Sequence, residues 1–438
     1  MELHALLAAL RRGDFDRELA ALYAPDGDTP ALDAARSRAV HVAEAFAAQF
    51  GGPDRAELFS GPGRTEIGGN HTDHQHGRVL CGSVDLDTLA CAAPNGLNVV
   101  RVASEGYPAV EVSLDSLTPR EEERNTSAAL VRGVAARLTE MGFSLSGFDA
   151  CAVSNVIAGA GLSSSASFEV LLGNIFNRFS CGGALDPITI ARVGQYAENV
   201  YFGKPCGLMD QMGSSIGGAA AIDFADPAEP VVERADYDFS RSGHALCIVD
   251  TGSCHADLTD DYAGITREMG AVAAHFGRQF LRDVPETDFR AALPALRSAC
   301  GDRAVLRAMH FYAEDRRAAD EAQALRNGDF GRFLALVNES ALSSELLLQN
   351  IWSPGAPREQ AVSLALTVGR ELLGGEGAIR VHGGGFAGTI QAWTPHDRLA
   401  VFKSGMEAVL GEGRCHVLRI RPQGGCAVLG GRAPLASG

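Results

Sequence analysis

Gly159-Ala-Gly161-Leu-Ser163-Ser164-Ser165-Ala-Ser167 is the stretch on which the reading of this chain turns. Before it, Asp149 to Val156 alternates apolar and polar residues as a strand does. After it, Phe168, Leu171, Leu172, Ile175 and Phe179 form a helical stripe. A glycine–serine loop between strand and helix offers clustered N–H donors, three hydroxyls and the positive end of a helix dipole, a setting suited to phosphate. No Gly-Lys-Ser/Thr follows, so it is not a Walker loop. Ser164 stands where the dinucleotide fingerprint has its third glycine. Read alone, the segment also fits a helix start capped by serines.

Three further segments carry candidate chemistry. Gly61-Pro-Gly-Arg-Thr-Glu-Ile-Gly-Gly-Asn-His-Thr-Asp-His-Gln-His-Gly77 lets backbone approach a ligand closely, and its Arg64, Asn70, His71 and Asp73 suit a hydroxyl-rich small molecule. A turn-rich surface loop is the plainer alternative. A zinc site on His71, His74 and His76 lacks a helical pattern and a cysteine or carboxylate frame. Cys206-Gly-Leu-Met-Asp210-Gln211 sets a carboxylate among small and apolar residues, where burial demands a partner. Glu198, twelve positions upstream, reads as a hard-cation ligand or an ordinary surface charge. Gly383 to Gly388 is a hairpin turn or a close approach to phosphate or sugar.

The remaining sequence bounds these readings. A chain of 438 residues holds two or three domains. The charged, proline-containing stretch 225–240 marks a boundary that gives domains 1–235 and 236–438. Apolar content of 46% and charged content of 21% describe a globular chain. The net charge of −16, with no basic patch, argues against a nucleic-acid partner. No apolar run reaches the roughly 18–20 residues of a membrane span. The apolar start, Met1 to Leu10, lacks a basic leader and a cleavage site. Ten scattered cysteines without a C-x-x-C pair read as reduced, mostly buried thiols, so the expected compartment is the cytoplasm. Expected helices include 31–50, 126–141, 188–201 and 303–326. Val79–Ala92 and Leu97–Val102 are expected as strands about an Asn95-Gly96 hairpin turn.

In this order and separation, the segments resemble the galactokinase branch of the superfamily of galactokinase, homoserine, mevalonate and phosphomevalonate kinases (GHMP kinases). Gly63-Arg64 to Leu80 is similar to the sugar-site signature, Gly159 to Val170 to the phosphate loop, and His382 to Gly388 to the third motif. Cys206 to Gln211 is similar to the segment bearing the active-site aspartate, and the resemblance spans roughly residues 30–430. It implies an α+β, two-domain small-molecule kinase: an N-terminal domain like ribosomal protein S5, a C-terminal ferredoxin-like α/β domain, and the active site in the cleft between them. It implies ATP and Mg²⁺ as cofactors, a sugar substrate, no membrane partner, and a monomer or weak homodimer. Asp210 and Arg64 would be catalytic. Gly159, Gly161, Leu162, Ser163, Ser164, Ser165 and Ala166 would hold ATP. Ser165 and Glu198 would hold the metal. Asn70, His71, Asp73, Tyr262, Gly384 and Gly385 would face the sugar.

The chain departs from the family pattern at the sugar. Asn70 replaces a glutamate expected near the C6 hydroxyl, His74 a tyrosine and Gln75 an asparagine. Thr65-Glu-Ile-Gly68 replaces a mostly apolar run, and Ile157 stands where proline is common. The expected product is galactose 1-phosphate. The same chemistry on N-acetylgalactosamine or galacturonate is the alternative. A non-catalytic sugar sensor is a further one, against which Ser163–Ser167, Glu198 and Asp210 all stand.

Overall fold

A computed structural model describes residues 1–157, 159–204, 206–253 and 258–429. Its described strands are β1 (Glu57–Gly68), β2 (Arg78–Pro94), β3 (Val99–Ser104), β4 (Val110–Ser113), β5 (Phe148–Ser154), β6 (Ala219–Asp223), β7 (Val231–Ala235), β8 (His244–Asp250), β9 (Ala378–His382), β10 (Thr389–Pro395), β11 (Cys415–Leu418) and β12 (Cys426–Ala427). They form an eight-stranded sheet, β12-β1-β2-β5-β3-β4 with β6 and β7 branching from β2, and a four-stranded sheet, β11-β8-β10-β9. Strand β2 joins both parts of the first sheet: its Arg78–Gly82 half pairs with β6 and its Thr88–Pro94 half with β5.

Period-two alternation explains why helices cover both faces of the first sheet. Phe59, Ala90, Ala92, Phe148 and Ala150 point to the helices Ser127–Glu140 and Ser164–Phe179. Their neighbours Leu58, Leu89, Cys91, Cys151 and Val153 point to Leu3–Arg12, Asp16–Tyr23 and Thr29–Phe50. The apolar start is therefore an amphipathic helix, with Leu3, Leu6, Leu7 and Leu10 buried. In the second sheet Cys247, Val249, Ile390 and Ala392 face the helices Ala361–Leu373 and Leu399–Leu410. Leu246, Ile248 and Trp393 face the first sheet across a core shared with Ile67, Leu80, Val84 and Phe333. No helix of the described residues is long and apolar enough to cross a membrane. The nine described cysteines are free, and six of them are buried; Cys254 lies outside the described residues.

Most expected elements appear, but the Asn95-Gly96 hairpin does not. Strand β5 inserts between β2 and β3, antiparallel to the first and parallel to the second. Asn95 serves that three-strand junction instead, its Nδ2 donating to Val99 O at 3.0 Å and Asp149 Oδ1 at 2.8 Å. The local Asn-Gly signal was overruled by a strand some fifty residues away in the chain.

One buried carboxylate ties the N-terminal helices to the sheet. Asp87 is fully buried on β2. Its Oδ2 accepts Tyr23 Oη at 2.6 Å and lies 3.3 Å from Arg421 Nη1, its Oδ1 accepts Arg38 Nη2 at 2.7 Å, and Ser60 Oγ also donates to it. Removing Asp87 leaves the Arg421 guanidinium buried without its counter-charge. Asp87→Ala is therefore expected to lower stability by about 3–5 kcal/mol in urea unfolding; a loss under about 1 kcal/mol would contradict this role.

Candidate active site

The site forms where β1, the serine loop and the helix Met209–Ile216 meet. Two register shifts interrupt the β1–β2 ladder, at Pro62/Arg64 and Glu66/Gly68. Such bulges re-aim side chains, and here they flank Arg64. The Ser164–Phe179 helix lies directly on β1: a Cβ on Gly61 would come within 2.2 Å of Ser167 O, and Ser167 Oγ donates to Gly61 O at 2.6 Å. Only glycine permits that approach, which fixes the loop's height above the strand. Within the loop, Gly159, Gly161 and Ser163 all have positive φ. This alternation lets backbone N–H groups converge on an anion.

Arg64 and Asp210, the two residues that the resemblance makes catalytic, lie in contact. Arg64 Nε and Nη2 donate to Asp210 Oδ1 at 2.8 and 2.5 Å, while Nη1 donates to Gly161 O. Arg64 N also donates to Leu162 O at 3.0 Å. Burial works against the Asp210 charge, but Arg64 and a hydrogen bond from Ser163 outweigh it and hold the carboxyl below its ordinary 3.8. Asp210 is thus an ionised carboxylate with about a fifth of its side chain open to the cleft (22%). Leu162 belongs to the core between the sheets, and Ala166 is fully buried. Ser164 is exposed and Ser165 half-buried at the loop's rim.

Ser165 Oγ donates to Glu198 Oε1 at 2.9 Å. Two hard oxygen donors at this spacing suit Mg²⁺, so the residues fit the ion that the resemblance implies. Behind them lies an arrangement that sequence reasoning missed. Gln211 Nε2 donates to both Glu198 Oε2 (2.8 Å) and the buried Glu169 Oε2 (2.9 Å), and Lys204 Nζ lies 3.4 Å from Glu198 Oε1. Burial, then the neighbouring Glu198, pushes the Glu169 carboxyl well up. Glu169 sits four positions after Ser165, one helical turn on, and that spacing was the available signal.

The sugar-side candidates divide. His71 Nε2–H donates to Gly384 O at 2.9 Å, and Tyr262 Oη donates to Gly385 O at 3.0 Å. A Cβ on Gly384 would meet the Tyr262 ring at 2.4 Å, so glycine is required there. Asp73 caps His74 N at 2.9 Å and is slightly exposed. Asn70 is different. It is fully buried, its Nδ2 donates to Glu66 Oε1 (2.9 Å) and Gly383 O (2.7 Å), and its Oδ1 accepts Asn350 Nδ2 (2.9 Å). Glu66 in turn accepts the fully buried Arg380 at 2.6 Å. The unusual run Thr65–Gly68 is therefore the first-sheet half of a buried polar seam, met by Arg380, His382 and Gln391 from the second sheet.

Comparison with known proteins fits this geometry. The galactokinase galactose-binding signature matches residues 44–94, and the GHMP kinase N-terminal domain matches residues 129–218. The fold is that of a Lactococcus lactis galactokinase solved with galactose: TM-score 0.73, 23% identity, covering 88% of this chain and 98% of that one. A Methanococcus jannaschii mevalonate kinase superposes at TM-score 0.58 and 14% identity over 84% of this chain and 98% of its own. A D-glycero-D-manno-heptose 1-phosphate kinase from Bacteroides thetaiotaomicron gives 0.57 and 15% over 85% and 98%.

Three histidines make the seam sensitive to acid. Burial foremost lowers His71 to about 4 and His382 to about 3, and it also lowers His310. All three are neutral in the fold. Below their ordinary 6.5 the unfolded chain binds protons that the folded chain refuses, so stability falls as pH drops from about 6.5 towards about 4. In urea titrations, His71→Gln should lose less stability than wild type between about pH 7 and about pH 5; equal losses would contradict the assignment.

Proposed function

From the premise that this chain is a kinase phosphotransferase of the GHMP type with a galactokinase sugar signature, we propose that it transfers the γ-phosphoryl group of ATP to the anomeric hydroxyl of D-galactose, giving galactose 1-phosphate. The observation that carries this reading is the Asp210 carboxylate, held ionised by Arg64 at the mouth of the serine loop. Phosphoryl transfer depends on positioning and charge neutralisation more than on covalent catalysis by protein groups.

In this reading the loop from Gly159 to Ala166 holds the phosphates with backbone N–H groups and the hydroxyls of Ser163, Ser164 and Ser165. A Mg²⁺ ion held by Ser165 and Glu198 supplies charge neutralisation when bound. Asp210 accepts the hydrogen bond of the sugar's anomeric hydroxyl and takes its proton as the new O–P bond forms. Arg64 keeps that carboxylate ionised before the sugar arrives and fixes its direction. His71, Asp73 and Tyr262, with the backbone of Gly384 and Gly385, bind and orient the remaining hydroxyls.

One observation favours a second reading on the sugar. Where the family pattern has a glutamate, position 70 here carries an amide that is engaged on both sides by protein groups. A C6 carboxylate would meet less repulsion there than beside a glutamate, so galacturonate becomes the alternative substrate.

Coupled ADP release over galactose, N-acetylgalactosamine, galacturonate, glucose and arabinose decides among these. Galactose is expected to be the best substrate, and galactose failing while galacturonate works would select the second reading. Asp210→Asn is expected to abolish turnover while keeping sugar binding within about tenfold, some 1.4 kcal/mol. Near-wild-type turnover in that variant would remove Asp210 from its role, and no ADP release with any sugar would favour a sensor.

A further inference from the structure

Lys204 is not among the residues of the proposed reaction, yet the backbone places it beside Glu198 and the serine loop. It follows the π-helical segment Ala197–Phe202. The wide turn there closes on one carbonyl: Gly203 N and Lys204 N donate to Glu198 O at 3.0 and 3.2 Å. That closure folds the side chain back over the residue six positions earlier. Its Nζ lies 3.4 Å from Glu198 Oε1, the same oxygen that accepts Ser165 Oγ. Glu198 is only 1% exposed, whereas the Lys204 side chain is 60% exposed. The ammonium therefore sits at the open rim of a buried oxygen. The fields of Glu198 and Asp210 both act on it.

The other cation at the loop is committed. Arg64 directs Nε and Nη2 at Asp210 and Nη1 at Gly161 O. A nucleoside triphosphate brings several negative charges into a chain whose own charge is −16, so a further positive group at the loop favours its binding. A lysine on a flexible four-carbon stem, held by one long contact at the rim, can supply it.

We propose that Lys204 is a phosphate-binding catalytic residue that rests on Glu198 Oε1 and moves to the β- and γ-phosphate oxygens when a metal–nucleotide complex binds. This rests on the reading that the chain transfers phosphoryl from ATP. In the step, the bond from the sugar oxygen to γ-phosphorus forms and the bond from γ-phosphorus to the β,γ-bridging oxygen breaks. The hydroxyl proton passes to Asp210 and ADP leaves. Lys204 donates hydrogen bonds to the departing β-phosphate and neither gains nor loses a proton.

The test uses Lys204→Met, which keeps the stem without the charge, and Lys204→Arg, which keeps the charge. Because the ammonium competes with a cation for Glu198 Oε1, Lys204→Met should bind Mn²⁺ without nucleotide about threefold more tightly, read by electron paramagnetic resonance. The same variant should bind MgADP about tenfold more weakly in calorimetry and lose at least as much in kcat. Lys204→Arg should recover most of the MgADP affinity, a rescue that a packing role would not give. Unchanged Mn²⁺ and MgADP binding in Lys204→Met would overturn the proposal. ADP release by the wild-type chain judges the phosphoryl-transfer reading separately, since both binding readouts need no turnover.

Discussion

A buried guanidinium on a strand and a carboxylate on a helix make the contact on which the rest of this structure depends. Arg64 cannot sit at the base of the cleft without Asp210, and Asp210 would not stay ionised there without Arg64. The third bond, from Arg64 to Gly161 O, adds the serine loop to the pair. One side chain thus sets the spacing between the carboxylate that receives the hydroxyl and the loop suited to phosphates. The close packing of Gly61 against Ser167 sets the same distance from the other side.

The two sheets meet through the same strand. Strand β1 carries Arg64 on one face, and its following residues enter the polar seam with the second sheet: Thr65 to His382 and Gln391, Glu66 to Arg380. A seam of buried hydrogen bonds is directional, where an apolar one would tolerate sliding. The positions of Gly383–Gly385 relative to His71 are therefore tied to the register of β1. Asn70 belongs to this seam rather than to the cleft, which ties the sugar wall's shape to the contact between sheets.

Much of this was legible in the sequence, and the exceptions have physical reasons. The strand–loop–helix around Gly159–Ser167 followed from a pattern that acts locally, while Arg64 and Asp210 were named as catalytic by the resemblance alone. Asn70 was expected to face the sugar because the resemblance puts a sugar-side glutamate at its position. Its actual partners, Gly383 and Asn350, lie some three hundred residues away and carry no local signal. Lys204 stands in no motif of the sequence, and the wide turn at Ala197–Phe202 folds it onto Glu198. The Asn95-Gly96 turn failed as a hairpin signal because sheet order is decided by long-range pairing with β5.

The interdependence of Arg64 and Asp210 is tested most directly by a double-mutant cycle on the two, read as the free energy of unfolding in urea. If the two side chains act as one unit, Arg64→Met in the Asp210→Asn background costs little beyond either single change, a coupling of about 2 kcal/mol or more. Losses that simply add would mean that the pair does not work together, and would contradict the account.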